Sequence, residues 1–295
     1  MVMIRVTQNM VTGRSLTSLQ AGLDRLAQTQ EKLSTGKNLN RPSDSPTDAT
    51  TSMKIRVQLA ETQQHVRNAQ NGLGWLDVTD STLSGMADNL RRVSELALQG
   101  ANASITGSTS TALATEVAQI REGLLAQANT TYLDRPIFGG VTAGTQAFDA
   151  SGAYVGADAP VQRSVADGVK VRIDVSGTTV VGPNGDNLFD DLAALESALR
   201  LGDKAGIQAG IAAVTERQRA VSDAQAAVGA SYNRVDAAER KGQDALVTLR
   251  SALSEVEDTD LPKAMVDLQM HEVAYQAALA STARVMQPSL VDFLR

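Results

Sequence analysis

Two histidines, His65 and His271, are the first residues to test for chemistry, because imidazole titrates near neutral pH and ligates metals. They lie far apart on helical patterning, at no spacing that builds a metal site, and read as surface or satisfied helical side chains. The chain has no cysteine, which excludes a thiol nucleophile, a disulfide and a thiolate metal site. An acidic cluster, Glu255, Glu257, Asp258 and Asp260, offers the oxygen ligands that calcium takes. It lacks the alternating spacing and terminal glutamate of an EF-hand loop. With Pro262 behind it, the cluster reads as a helix boundary, since carboxylates are unfavourable at one helix C-terminus and favourable at the next N-terminus. Gly139-Gly140 has neither the phosphate-loop lysine pattern nor the dinucleotide fingerprint. No catalytic, cofactor or metal site is expected.

What the chain does carry is seam patterning at both ends. Ile207, Val214, Val221, Val228, Val235, Gly242, Leu249 and Val256 recur at heptad spacing, beside a companion row of Ala224, Ser231, Ala238, Ala245 and Ala252. Near the start, Leu16, Leu19, Leu23, Leu26, Gln30 and Leu33 alternate threes and fours. The alternation resumes in Leu59, Thr62, Val66, Ala69, Leu73, Leu76, Asp80 and Leu83. Near the end come Met265, Leu268, Tyr275, Leu279, Thr282 and Met286, then a tail with Leu290, Phe293 and Leu294. Such seams wrap helices around one another, so segments distant in sequence must lie side by side. The expected fold is mainly α: a long antiparallel helical bundle or coiled-coil rod built from the N- and C-terminal segments, with a small β-rich insertion between them.

Punctuation residues divide this plan. A helix to about Gly36, preceded by a short extended arm, is followed by a loop with two prolines. The next helix opens on Ser45 as N-cap with Pro46 at its first position and Asp48 three residues after the cap. Its helical patterning runs to about Gly100, interrupted by Gly72 and Gly74, where the glycines leave room for a bend. A third helix follows the loop 102–110, with Leu113, Val117, Ile120 and Leu124 on one face. From Tyr132 glycines are dense, and strands are expected over 169–175, 178–181 and 161–165. Helix returns after an Asn187 cap with Leu188, Leu192, Leu195 and Leu199, and a break at Gly202-Asp203 precedes the long heptad helix. Three zones follow: 1–45 with 255–295 as terminal helices, 46–131 with 187–254 as rod, and 132–186 as β-rich insertion.

Composition agrees with thin helical bundles, whose narrow cores hold few rings: hydrophobic residues are 42% but aromatics only 3%. A net charge of −6 and a pI near 5.1 argue against nucleic acid as partner. No run approaches the length of a membrane span, and the opening residues lack the apolar core of a signal peptide. The apolar faces of 1–36 and 262–295 have no adjoining core of their own. They either pair with each other in the monomer or, the sharper expectation, are buried only among neighbouring subunits.

Several segments resemble the flagellin superfamily, and within it the hook–filament junction branch. QEKLSTG over 30–36 and NRPSDSP over 40–46 are similar to the family's helix break and loop, carried here by Ser34, Gly36, Pro42, Ser43, Asp44 and Pro46. Ser45 stands where the family usually has a second aspartate. Ile4 to Gln8, Ala128 to Thr130 and Ile137 to Gly140 resemble the junction branch more than filament flagellins. Val228 to Ala230, Asn233-Arg234 and Phe293 to Arg295 resemble further family elements. The likeness covers both helical ends and not the middle.

The resemblance implies a structural subunit of the flagellum, exported through the type III channel without a cleaved signal and located outside the cell. It implies a homo-oligomeric ring between the neighbouring hook-associated junction protein and flagellin, with a chaperone at the C-terminal helix before export. Filament flagellin is the nearest alternative, and a helical signalling or chaperone module is one of another class.

Overall fold

The computed structural model describes residues 2–102 and 107–286, with side chains at Met10 and from Gly13 to Arg284. Its elements are α1 (Val2–Thr35), α2 (Pro46–Asn102), α3 (Gly107–Ala128), β1 (Thr131–Tyr132), β2 (Arg135–Pro136), β3 (Gln162–Ala166) and β4 (Val169–Arg172). They are followed by α4 (Gly177–Val181), α5 (Leu188–Leu201), α6 (Lys204–Glu257) and α7 (Leu261–Met286). The chain is mainly α, with two small antiparallel sheets, β1–β2 and β3–β4. No described helix is long and apolar enough to cross a membrane.

Local chemistry explains the helix ends. Gly36 takes the left-handed conformation (φ 69°) that terminates α1. Ser45 Oγ accepts from Asp48 N at 3.3 Å and caps α2. Asn187 Oδ1 accepts from Phe189 N and Asp190 N, and Gly202 closes α5 in the left-handed region (φ 64°).

Five expectations are corrected. No extended arm precedes α1, which is helical from Val2. The helix after residue 102 begins at Gly107 instead of beyond Ser110. α2 continues through Gly72 and Gly74 without interruption. There the missing side chains admit neighbours: a Cβ on Gly72 would sit 3.3 Å from Ile173 Cγ2, and one on Gly74 would collide with the Tyr132 hydroxyl. Finally, the β-branched run Thr178 to Val181 forms the short helix α4. Strand propensity there is overridden because Val180 and Val181 are buried in the helical turn's core-facing side. The β4 ladder also stops at Arg172, because Asp174 Oδ1 takes the Val161 amide at 2.7 Å where a backbone partner would continue it.

The chain divides into two compact units, residues 61–246 and residues 1–60 with 247–295. In the first, α2 buries Ala69, Leu76, Leu83, Leu90 and Ala97 alternating with Gly72, Thr79, Met86, Val93 and Gly100. The second row thus runs through Gly72 and Thr79, one residue before Leu73, which is half-buried, and Asp80, which is exposed. Thr79 tolerates burial because its hydroxyl donates to Trp75 O at 2.9 Å. α6 contributes Ile207, Val214, Val221, Ala224, Val228 and Val235. Gly242 lies where a Cβ would be 2.7 Å from Val66 Cγ2, so its helix-propensity cost of about 1 kcal/mol accompanies a close approach to α2.

The 132–186 segment shares this core. Ile137, Phe138, Phe148 and Ile173 join Leu76 and Val221 in one cluster. Phe148 meets Tyr154 and Phe189 edge-on at 5.4 and 5.8 Å. Asn129 holds the segment at its base, accepting from Ala147 N and Phe148 N and donating to Phe148 O.

Candidate assembly surface

The unit made of 1–60 and 247–295 is built on a pair of helices. α1 and α7 pack against each other, with Thr29 and Ala264 buried and Gly22 presenting its bare backbone to Tyr275. Leu19, Leu26, Leu33, Leu268 and Tyr275 are half-buried. The terminal helices therefore do pair within the monomer, contrary to the expectation that they are buried only among neighbouring subunits. The burial is incomplete: Leu16 is 58% exposed and Met265 57%, with Leu23 and Leu279 exposed as well. A two-helix pair covers only one strip of each partner, which leaves the remainder of a wide apolar face open.

α7 carries a second apolar stripe that seam spacing did not mark. Val266, Met270 and Val273 are 58%, 60% and 67% exposed at i, i+4 and i+7. Met53 and Val57 on α2 and Val247 on α6 are exposed too. The 266–270–273 spacing was legible but was eclipsed by the stronger row Met265–Leu268–Tyr275–Leu279. Met286 closes α7, and its side chain, with Leu290, Phe293 and Leu294, lies outside the described residues.

The rod positions divide by depth. Val66, Leu76, Leu83, Val214, Val221, Val228 and Val235 are buried, whereas Leu59, Leu73, Leu249 and Val256 are half-buried.

The loop 36–45 is structured by its own polar groups and by Glu257. Asp44 accepts from Asn40 N and Arg41 N, which closes the Pro42-Ser43 turn, and Arg41 pairs with Glu31 at 3.2 Å. Ser34, Pro42, Ser43 and Pro46 are exposed. Glu257, the last residue of α6, is buried, and three side chains from two segments converge on its carboxylate. Arg56 donates to it twice (2.7 and 2.8 Å), Lys37 binds at 3.0 Å, and the Ser52 hydroxyl completes the set. The Arg56 hydrogen bonds, outweighing burial and joined by those of Ser52 and Lys37, hold the carboxyl down at about 2.

The folded carboxyl thus titrates below its unfolded value. The bonds it makes stabilise fully above the usual glutamate range and are lost as pH falls through about 2. Thermal melts of the native chain and of Glu257→Gln should accordingly differ most near neutrality, by about 2 kcal/mol, since the exposed cations rehydrate when their partner is lost. The gap should close steadily from about pH 4.5 towards 2. A gap independent of pH would show that the carboxylate is not the cause.

Beside this node lies a polar cleft of about 460 Å³, lined among others by Arg25, Lys32, Asp258, Lys263, Asp267 and His271. His65 stands elsewhere, its Nδ1 3.3 Å from Ser164 O. Among the described residues no group of three His, Cys, Asp or Glu side chains is arranged to hold a metal ion. Mixed charge and exposed apolar helix faces suit recognition of protein surfaces.

Comparison with known proteins bears on this geometry. Residues 6–142 match the bacterial flagellin N-terminal helical region, and residues 211–294 match the bacterial flagellin C-terminal helical region. A flagellin of Halalkalibacterium halodurans is 25% identical over 285 residues, covering 96% of each chain. Flagellar hook-associated protein 3 of Escherichia coli is 24% identical over 281 residues, covering 84% of this chain and 86% of that one. The crystal structure of Bacillus cereus FlgL superposes with a TM-score of 0.61 at 23% identity, covering 68% of this chain and 99% of that one, and shares its fold.

Proposed function

Because this chain belongs to the flagellin family and is a structural component of the bacterial flagellum, we propose that it is the junction subunit between hook and filament. The observation that carries an assembling role is the open apolar surface of the α1–α7 pair, centred on Val266, Met270 and Val273. Such a surface is costly in a free monomer and is covered when subunits associate. The junction assignment draws support from the likeness to hook-associated proteins and from Ile4 to Gln8 and Ile137 to Gly140.

In this reading residues 1–45 and 255–295 form the inner assembly zone, 46–131 with 187–254 the surrounding helical zone, and 132–186 the outward insertion. The subunits close into a homo-oligomeric ring, with the other hook-associated junction protein on one face and flagellin on the other. The chain leaves the cell through the flagellar export channel without a cleaved signal, and its lack of cysteine means no disulfide must be undone on the way. A cytosolic chaperone covers the C-terminal helix before export. The protein is a scaffold with no catalytic role, needing no cofactor.

Cells lacking the protein should build hooks and shed flagellin monomers into the medium. Normal filaments in that mutant would rule the junction role out. Filament flagellin is the second reading, favoured by the near full-length match to the Halalkalibacterium protein. Antibody labelling of isolated flagella separates the two: a band at the hook tip for a junction subunit, continuous decoration for a flagellin.

A further inference from the structure

Both connections of the α1–α7 pair pass through one point. Leaving α1, the chain runs through Gly36, Lys37 and Asn38. Approaching α7, it runs through Glu257, Asp258 and Thr259. The two segments pair antiparallel at Lys37 and Asp258. Asn38 N donates to Glu257 O at 2.6 Å, and Thr259 N donates to Gly36 O at 2.9 Å. A ribbon of two hydrogen bonds is marginal in water by itself.

One carboxylate supplies what the ribbon lacks. The Glu257 side chain is 5% exposed and is held by Lys37 from the first connection and by Ser52 and Arg56 from α2. Lys37 and Arg56 keep much of their hydration, at 43% and 57% exposure, so the acid is the buried member of the set. Of the charged groups near it, Lys37 and Arg56 face it, whereas the adjoining Asp258 carboxylate is engaged by the Ser254 hydroxyl. Glu257 belongs to the second connection, and its carboxylate binds both the first connection, through Lys37, and α2, through Ser52 and Arg56.

We propose that Glu257 is a positioning residue for assembly: it locks the two connections into one hinge, so that α1 and α7 meet neighbouring subunits as a preset pair. The use of the lock rests on the assembly reading above, whereas the lock itself is a property of the free chain. Opened, the hinge leaves α1 and α7 in mutual contact but releases them from the first turns of α2 and the last turn of α6.

The test is hydrogen exchange of the full chain at neutral pH, read at the Asn38 and Thr259 amides. In Glu257→Gln both should exchange faster by a common factor of at least about ten, since their opening becomes local instead of coupled to the lock. The Asp191 amide, bonded to Asn187 O in the other unit, serves as internal reference and should not change. Trypsin should cut after Lys37 earlier than in the native chain. Arg56→Gln, which leaves Ser52 and Lys37 on the acid, should accelerate both amides by a smaller common factor, and it keeps the test valid if the first variant folds poorly. Acceleration of one amide alone, or of neither, overturns the lock. If both accelerate yet the Glu257→Gln chain enters flagella as well as the native one, the positioning role is overturned. If the native chain is itself absent from flagella, the assembly reading fails while the exchange result stands.

Discussion

Val228→Asp should unfold the 61–246 unit or leave it barely stable at room temperature. Val228 is 2% exposed in the α6 row that also buries Val221 and Val235, and no cationic side chain lines the cleft beside it. Instead Asp77 and Asp80 border the same cleft beside Gly229 and Asn233, so a new carboxylate would be both desolvated and repelled. An uncompensated buried charge costs about 3–5 kcal/mol. That is a large share of the roughly 5–15 kcal/mol that holds a domain folded. Leu249→Asp should cost about 1–2 kcal/mol, because Leu249 is half-buried and its replacement can reach water. Circular dichroism melts of the two variants test the order. A Val228→Asp chain melting like the native one would mean that the seam is assigned to the wrong residues.

Val273→Asp should do the opposite: leave the monomer intact and abolish incorporation. Val273 is 67% exposed, so substitution should shift stability by no more than about 0.5 kcal/mol. In an assembly that covers the 266–270–273 stripe, the same carboxylate would be buried against apolar neighbours. A penalty of about 3 kcal/mol corresponds to a more than hundredfold loss of association. Quantitative blotting of isolated flagella against whole cells, beside a melt of the purified variant, measures both halves. Normal incorporation with an unchanged melt would show that this stripe faces solvent in the assembly as well.

Helix breaks were readable wherever one residue's own chemistry sets the backbone. Gly36 ends a helix because it takes a positive φ, Ser45 and Asn187 start helices by accepting backbone amides, and Gly202 stops one. Heptad rows were equally readable, since Val214, Val221, Val228 and Val235 fall on one face by period alone. Legibility failed where one neighbour decides between two local options. Leu73 and Asp80 satisfy the alternation as well as Gly72 and Thr79, and the choice follows from Ile173 lying against Gly72. Thr178 to Val181 favours a strand by propensity but turns helical to bury two valines. The left-handed Leu133 and Asp134 in the β1–β2 turn carry no glycine signal at all.

Glu257 shows the division most plainly. Its place in an acidic cluster before Pro262 sufficed to mark a helix boundary, because charge near a helix end is a local effect. Its partners Lys37, Ser52 and Arg56 stand 220, 205 and 201 residues away. Nothing in local spacing pairs such distant groups, since any of several acids could face any of several bases. The sequence by itself determined the long helices, most of their seam positions and the family loop, all of which depend on neighbours within a few residues. Only the tertiary structure decided which terminal side chains stay uncovered and which single carboxylate ties the two connections. Those outcomes depend on how two distant segments align, and alignment is a property of the packed chain.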